Sequence, residues 1–375
     1  MIERERAIVI GHEHYNTLGL LRSLGEVGVK TTLILITNSR RRSLVARCKY
    51  ISDIYISERE NIIELLENLR QSHYKSVIFP ASDRIAELLD NNYHVLKEYF
   101  YVPGIKGSAA RLSQAMDKEQ MRNNAEKAGF KVPKSIVIKK GDSVPDFVYP
   151  CIIKTVNSAA GKKDYGLYNS HSELTCGLKK MFEAVDSVQI QQYLKKIKEI
   201  IYLGWSHDGH ICIPCVMTKM REYPVNFGCT GLGVFSPDVN KYFDINKLKT
   251  LIKSYNYSGL FSVEFIICEE SPYFLEINFR NDGNGYFPGY TGIETNLPYN
   301  YIKAVKNGIY DNENAVISRP YQMMREITDF NYVRSTAYPW HKWISDIKHT
   351  DVFQYWNRHD PVPFWQLVLN HMCRE

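Results

Sequence analysis

The sequence predicts an α/β protein in which a doubly wound N-terminal domain precedes an α+β part built from antiparallel hairpins. Residues 7–36 run from the apolar AIVIG through a helical segment to VKTTLILI, the pattern of a βαβ unit. Residues 198–220 and 262–280 each contain two strand-like runs joined by turn residues. The first pattern indicates a parallel sheet, and the other two indicate antiparallel pairs.

Length and charge limit the classes of function. A chain of 375 residues can form two or three domains with their own cores. The net charge of +6 is small and the basic residues are dispersed, which argues against nucleic-acid binding and suits an anionic small molecule.

The start MIERERAIVI predicts a strand rather than a signal peptide, and no apolar run is long enough for a membrane span. Cysteines such as Cys212 and Cys215 lie in apolar segments, so we expect reduced core thiols and a cytoplasmic location.

The first βα turn argues against a nicotinamide cofactor. Gly11 in GHEHYN can form the tight turn, but larger residues replace the two glycines that let a pyrophosphate approach. A helix is predicted near 60–72, followed by the strand SVIFP and a helix that Ser82 or Asp83 would cap. Asp83 also stands at the carboxyl end of that strand, where ligands of parallel sheets bind, so a substrate contact is the alternative.

The middle of the chain contains a helix and a lysine-bearing strand. The predicted helix at 113–129 has Asp117 at its start and Gly129 at its end. The apolar strand YPCIIKT ends in Lys154, which either extends to solvent or binds an anion. The following NSAAGKKDYG suits a phosphate-covering loop, although a solvated turn would have the same composition.

The hairpin at 262–280 carries the strongest chemical signal. Alternation along its second strand puts Glu276, Asn278 and Arg280 on one face and apolar residues on the other. Because Pro272 is disfavoured inside a strand, we predict a five-residue loop over 269–273, which would place Glu264 opposite Asn278. Oxygen ligands beside a cation suit Mg²⁺ and a polyphosphate, whereas a solvent-facing polar stripe is the alternative.

The order of these segments resembles the ATP-grasp superfamily over residues 7–310, and within it the carboxylate–amine ligases related to D-aspartate ligase, through FPASD and TGIETNLPY. The resemblance implies a Rossmann-like pre-ATP-grasp domain and a two-subdomain ATP-grasp fold with antiparallel sheets. The implied divisions are the pre-ATP-grasp domain at 1–104, a small subdomain with the phosphate lid at 105–190, a catalytic subdomain at 191–314 and an aromatic-rich extension at 315–375. We expect the tryptophans of this extension to pack in the core, and an association surface is the alternative.

The resemblance also implies an ATP site. Lys118 in MDKEQ matches the first phosphate-binding lysine and Lys154 matches the second. Glu199 matches the acid that accepts the ribose hydroxyls. The segment that matches the adenine-binding hinge strand consists of Gln191, Gln192, Tyr193 and Leu194.

A metal and phosphoryl-transfer site follows from the same resemblance. Glu264, Glu276 and Asn278 match the ligands of two Mg²⁺ ions, which Mn²⁺ could replace. Arg280 matches the arginine that stabilises the transferring phosphoryl group, and Arg221, expected in a glycine-bearing loop, stands where related ligases place a basic residue near the acceptor.

Two features depart from the family pattern. The lid at 157–166 has only Gly161 and Gly166, so cover of the γ-phosphate would depend on Lys162 or Lys163. The hinge has Gln192 where many relatives have Glu, which puts any side-chain contact with adenine in doubt.

The implied activity is ADP-forming synthesis of an amide or peptide bond from a carboxylate and an amine, through an acylphosphate, with amino acids or peptides as substrates. Two alternatives are a carboxylase or carbamoyl-phosphate-type enzyme that uses bicarbonate and an ATP-binding module without turnover. No residue stands out as the base for the amine, and His12 and His14 are either substrate contacts or local hydrogen-bonding groups. The implied partners are small molecules, and a homodimer is compatible with the family.

Overall fold

The structure is a computed structural model that describes residues 5–37, 42–70, 74–107, 111–156, 166–226 and 228–372. The chain forms two compact units. The first comprises Met1–Leu112, Ile201–Ser262 and Asn278–Glu375, and the second comprises Ser113–Ile200 and Val263–Ile277. The four-part division expected from the sequence stays a prediction.

The first unit begins with a five-stranded parallel sheet of order β3-β2-β1-β4-β5, which confirms the predicted βαβ opening. Core residues lie on both faces of this sheet, because the alternate residues Val9 and Leu33 belong to one apolar cluster and Ile8 and Ile34 to another. The elements are β1 (Arg6–His12), α1 (Tyr15–Gly25), β2 (Lys30–Ile36), β3 (Ile51–Ser57), α2 (Ile62–Leu69), β4 (Ser76–Pro80), α3 (Asp83–Asn91), α4 (Tyr93–Leu96) and β5 (Phe100–Tyr101), with 3₁₀ turns at Val45–Arg47 and Arg59–Asn61.

The second unit contains a four-stranded antiparallel sheet of order β7-β10-β8-β9. One face buries Ile153, Val188 and Ile190 against Leu174 and Leu178 of a helix. Asp117 accepts a hydrogen bond from the backbone N–H of Gln120 at 2.8 Å, as expected for the cap of the predicted helix. The elements are α5 (Arg111–Ala115), which begins in the first unit, α6 (Lys118–Lys127), β7 (Ser135–Lys139), β8 (Cys151–Thr155), β9 (Leu167–Tyr168), α7 (His171–Met181) and β10 (Ser187–Gln192).

A larger sheet has the order β15-β14-β11-β12-β13-β16-β17, with β6 paired to β14. The turn between its strands β11 and β12 is Asp208–Gly209, both with positive φ, as the sequence predicted. The strands are β6 (Gly104–Ile105), β11 (Lys198–His207), β12 (His210–Tyr223), β13 (Cys229–Ser236), β14 (Tyr257–Cys268), β15 (Ser271–Asn278), β16 (Tyr321–Met324) and β17 (Val352–Phe353). The helices after β10 are α8 (Ile245–Ser254), α9 (Leu297–Asn307), α10 (Glu326–Thr336), α11 (Trp340–His349) and α12 (Val362–Met372), with 3₁₀ turns at Phe287–Thr291 and Ile293–Thr295.

Two predictions about loops are wrong. The β14–β15 turn has two residues, Glu269 and Glu270, with φ of 49° and 63°, and Pro272 lies inside β15. A proline is tolerated there because β15 is an edge strand of this sheet, where a residue whose backbone nitrogen points outward needs no ladder bond. Arg221 lies in β12 rather than in a loop, since that strand continues to Tyr223.

Other expectations about burial have mixed outcomes. Cys212 and Cys215 are buried free thiols, and burial raises the pKa of both, to about 12 for Cys212, in accord with the core interpretation. Trp340, Trp356 and Trp365 are 51%, 41% and 54% exposed, so the expectation that the tail tryptophans pack in the core is wrong for these three. Over the described residues, no helix has the length and apolarity that a membrane crossing needs.

Candidate functional site

The β14–β15 hairpin carries three oxygen-bearing side chains. Asn278 Nδ2 donates a hydrogen bond to Ser262 Oγ at 3.1 Å, so these two side chains share a face. Glu264 and Glu276 lie on the same two strands, nearer the two-residue turn. Phe274 and Ile277 of β15 are both buried although they are three residues apart, so side chains do not alternate regularly along this strand, and the placement of Glu264, Glu276 and Asn278 on one face stays a prediction. Glu264, Glu276 and Asn278 are all half-buried, which suits ligands that must meet a solvated ion.

Among the described residues, no group of three His, Cys, Asp or Glu side chains converges as a metal site would require. The three residues predicted as metal ligands, Glu264, Glu276 and Asn278, offer two carboxylates and one amide oxygen. That donor set is all oxygen, which is the chemistry that Mg²⁺ prefers.

Arg280 is held by the first residue of α3. Its Nε donates to Asp83 Oδ1 at 2.9 Å and its Nη2 to Asp83 Oδ2 at 3.2 Å, and Nη2 also reaches Asn278 Oδ1 at 3.2 Å. Ser82 occupies the N-cap position of α3 but makes no capping hydrogen bond through its side chain. Asp83 thus orients Arg280, which is a third role beside the cap and the substrate contact weighed from the sequence.

In the second unit, Lys118 and Lys154 lie near one chain of polar contacts. Lys154 of β8 stands directly opposite Gln189 of β10, which puts their Cβ atoms about 5 Å apart on one face of the sheet. Gln189 Nε2 donates to Glu119 Oε2 at 3.4 Å, and Ser135 Oγ donates to the same carboxylate at 3.4 Å. Lys154 therefore lies on the face of the sheet that Glu119 contacts, and Lys118 immediately precedes Glu119 at the start of α6.

The start of α6 also approaches Glu276. The backbone N–H of Ile277, next to Glu276, donates to Met121 Sδ at 2.9 Å. Met121 is one helical turn after Lys118, a rise of about 5 Å along the axis. The backbone of β15 at Ile277, the residue after Glu276, thus packs against α6, the helix that begins at Lys118.

Glu119 is charged at neutral pH in this setting. Burial alone would favour its protonated form, but hydrogen bonds from Arg122 at 2.7 and 3.3 Å outweigh burial and lower the pKa of Glu119. Sequence reasoning passed over Glu119, Gln189 and Ser135. The alternation in VQIQQYL, which turns Gln189 and Gln191 to one face of β10, was the available signal for Gln189.

The hinge segment ends β10. The backbone N–H of Gln192 donates to Lys134 O at 2.8 Å, and that of Tyr193 donates to Pro150 O at 2.9 Å. These two N–H groups are therefore already bonded within the protein. An adenine bound here would contact the remaining backbone groups between Gln191, which is buried, and Leu194, which is half-buried.

Glu199, at the start of β11, is 8% exposed, and its Oε2 lies 3.1 Å from Lys196 Nζ. Lys196 therefore pairs with Glu199, the residue that matches the family's acceptor for the ribose hydroxyls.

Arg221 is engaged within the first unit. Its Nε and Nη2 donate to the two oxygens of Asp329, each at 2.8 Å, and its Nη1 donates to Asp346 Oδ2 at 2.6 Å. Burial disfavours the charge, but these hydrogen bonds outweigh burial and raise the pKa of Arg221. Both carboxylates belong to the C-terminal extension, which the sequence did not link to Arg221. Lys163, with the lid residues 157–165, lies outside the described residues.

The two histidines of the first turn are neutral at pH 7. Partial burial and the charges of Arg325 and Arg280 lower the pKa of His14 to about 4, although part of the residue is open to solvent. Partial burial also lowers the pKa of His12. His14 Nδ1 accepts a hydrogen bond from the backbone N–H of Asn16 at 3.2 Å and so caps α1, a local role of the kind weighed from the sequence.

In sequence, the chain is similar to part of a larger known enzyme. No protein-family model matches the chain. A carbamoyl phosphate synthase large chain from Sulfolobus acidocaldarius is 24% identical over 250 residues, which are 63% of this chain and 22% of that protein. The chain thus spans about a fifth of the length of this curated relative.

Two solved structures match most of the chain. An L-amino acid ligase from Bacillus licheniformis has a TM-score of 0.63 at 12% identity, covering 86% of this chain and 80% of that one. An N5-carboxyaminoimidazole synthetase from Staphylococcus aureus, solved with ADP, has a TM-score of 0.63 at 18% identity, covering 89% and 86%. The resemblance to ATP-grasp enzymes and the predicted fold class are thereby confirmed at the level of the fold.

Proposed function

We propose that this chain is an ATP- and Mg²⁺-dependent ligase that joins a carboxylate to an amine and releases ADP and phosphate. The observation that supports this most is that α6, which begins at Lys118, contacts both the strand opposite Lys154, through Glu119 and Gln189, and the strand of Glu276, through Met121 and Ile277. Two cations beside a carboxylate on a metal-suited hairpin fit a triphosphate better than they fit an uncharged ligand.

The chemistry needs charge stabilisation more than acid–base groups. A carboxylate oxygen attacks the γ-phosphorus of ATP and ADP leaves. The neutral amine then attacks the acyl carbon, phosphate leaves, and the nitrogen releases a proton to solvent as the amide forms. Lys118 and Lys154 would neutralise phosphate oxygens, helped by the positive end of α6. Arg280, held by Asp83, would stabilise the charge on the transferring phosphoryl group.

The residues of the hairpin fit Mg²⁺. Asn278 turns Nδ2 to Ser262 and Oδ1 towards Arg280. Glu264 and Glu276 would supply carboxylate oxygens. Bound Mg²⁺ would offset the charge of the β- and γ-phosphates.

Glu276→Gln tests the proposal. We expect ADP formation to fall by about 100-fold or more, because a neutral amide replaces a charged metal ligand. Glu270→Gln, an exposed change in the turn of the same hairpin, is the matched control and should retain full turnover. Circular dichroism checks that both variants fold, and unchanged turnover in folded Glu276→Gln rejects the metal assignment.

Bicarbonate is the second candidate acceptor, favoured by the similarity to carbamoyl phosphate synthase. ADP release measured with bicarbonate and with a panel of amino acids separates the two reactions. Stimulation by an amino acid supports the ligase, and stimulation by bicarbonate alone supports the alternative. Nucleotide binding without ADP release would instead identify a module without turnover.

A further inference from the structure

The residue before α10, Arg325, is a buried cation. It is 1% exposed, and it donates from Nη1 to Thr230 O at 2.8 Å and from Nη2 to Asn284 Oδ1 at 3.1 Å and Gly283 O at 3.3 Å. All three acceptors are neutral. Its Nε has no hydrogen-bond partner among the described residues. Burying a guanidinium in this way is unfavourable unless an anion completes its surroundings.

Arg325 lies at the carboxyl edge of the parallel sheet. Its guanidinium carbon is 3.7 Å from the ring centroid of Tyr15, the first residue of α1 after β1. Arg280 approaches the same edge, because it pairs with Asp83, which follows the carboxyl end of β4. Tyr15 is half-buried and His14 is exposed, so the edge reaches solvent here. Ligands of parallel sheets bind at such an edge.

Asp282 provides the opposite charge close by. Its Oδ1 accepts hydrogen bonds from the backbone N–H and the Nδ2 of Asn284, each at 2.8 Å, and its Oδ2 accepts one from Ser262 at 3.0 Å. A carboxylate has about four acceptor positions, so these three bonds leave one position. Asn284 also contacts Arg325, so a single amide side chain separates the two charges.

Buried contacts of the C-terminal extension fix the position of Arg325. Asp329, one turn later in α10, forms the two-bond pair with Arg221. Glu326 accepts hydrogen bonds from the backbone N–H groups of Tyr355 and Trp356, at 3.1 and 2.7 Å. The start of α10 is thus held from both sides, which suits a residue that must meet a ligand.

We propose that Arg325 and Asp282 bind an α-amino acid, with Arg325 receiving its carboxylate and Asp282 its ammonium group. An α-amino acid has an ammonium group and a carboxylate attached to the same carbon, and Asn284 contacts both residues that would receive them. Within the proposed function, this ligand is the substrate that contributes the amine, and its carboxylate serves as the handle. Arg221 acts here as a positioning residue.

The test compares amino acids with their amides. Isothermal titration uses the full chain with a non-hydrolysable ATP analogue and Mg²⁺, and the probes are the twenty common L-amino acids and the C-terminal amide of each one that binds. We expect wild type to bind an amino acid about 10–100-fold more tightly than its amide, since the amide lacks the charge that Arg325 pairs. Arg325→Gln should remove this preference, while Arg319→Gln, an exposed arginine in the same extension, should keep it.

Two further variants keep the inference testable if Arg325→Gln does not fold. If circular dichroism shows that Arg325→Gln is unfolded, Arg325→Lys keeps the charge and should reduce the preference for the acid over the amide by about tenfold. Asp282→Asn should weaken the binding of amino acids, but it should leave unchanged the binding of the matching carboxylic acids that lack the amine.

Three results overturn the inference: equal binding of acid and amide, an unchanged preference in folded Arg325→Gln, or no amino acid binding to wild type. The assay needs no turnover, so the proposed ligase activity can fail while the binding site stands. Conversely, amino-acid-dependent ADP release with no role for Arg325 would retain the ligase and reject this site.

Discussion

The buried ion pair between Arg22 and Asp360 gives the sharpest stability test. Arg22 of α1 donates from Nε to Asp360 Oδ2 at 3.0 Å, and both side chains are 0% exposed. Arg22 also donates to Gln354 O at 2.8 Å, Tyr355 O at 3.0 Å and Asp360 O at 2.9 Å. One guanidinium thus joins the N-terminal sheet domain to the loop that precedes α12. We predict that Asp360→Asn destabilises the first unit.

The magnitude follows from the burial of both charges. Removing one partner of a fully buried pair leaves an unpaired charge and costs about 3–5 kcal/mol. Asparagine can still accept one hydrogen bond, so we expect a loss near the lower end, about 3 kcal/mol, for Asp360→Asn. Arg22→Met combined with Asp360→Leu removes both charges and should cost less than the sum of the two single changes. The exposed pair Arg319–Asp351 should contribute much less than the buried pair, because solvent screens both charges.

Urea unfolding measures these differences, with tryptophan fluorescence as the signal for the first unit. Because the chain has two compact units, each transition is fitted separately. Arg319→Gln is the matched control, since it also removes an arginine that contacts the extension. A loss in Asp360→Asn no larger than in Arg319→Gln would refute the reasoning, as would additive losses in the double variant.

Two further predictions concern pH and catalysis. Burial lowers the pKa of His207 to about 4, so between about pH 6.5 and 4 the unfolded chain binds more protons and stability falls as pH falls. From pH 7 to 5 this histidine, 12% exposed, should cost about 2 kcal/mol, and His207→Gln should flatten that part of the urea-unfolding profile; an unchanged profile would contradict the burial argument. Asp83→Asn should reduce kcat by about tenfold or more, because Arg280 loses the charge that orients it, and should lower stability by about 1–2 kcal/mol. A folded Asp83→Asn enzyme with normal kcat would show that the orientation of Arg280 does not matter.

Local sequence patterns were enough for the regular elements. The strands of the parallel sheet are buried on both faces, so their apolar runs are continuous and easily recognised. Asp117 before α6 and Asp208–Gly209 between β11 and β12 are local signals whose geometry depends on a few adjacent residues. Pro272 misled the prediction because its tolerance depends on the edge position of β15, which is a property of the whole sheet.

The partners of the charged residues could not be predicted in this way. Arg221 pairs with Asp329, 108 positions later, and Arg280 pairs with Asp83, 197 positions earlier. The segments around these arginines, TKMREY for Arg221 and MMREITDF for Arg325, contain no local pattern that predicts which distant carboxylate or aromatic ring the arginine contacts. Sequence resemblance proposed Arg221 as a site residue, whereas no motif drew attention to Arg325, whose Tyr15 contact is with the other end of the chain.

The buried charges of the C-terminal extension support a role in positioning. Buried ion pairs are often no more stabilising than apolar residues of similar volume, so stability alone does not explain why such pairs hold this segment. Arg22 fixes the loop at 354–360, Glu326 binds two backbone N–H groups of that loop, and Arg221 fixes α10 through Asp329. These contacts surround Arg325, and directional hydrogen bonds set its place more narrowly than apolar packing would. The extension therefore does more than cover the core: it supports one guanidinium at the sheet edge where β1 ends.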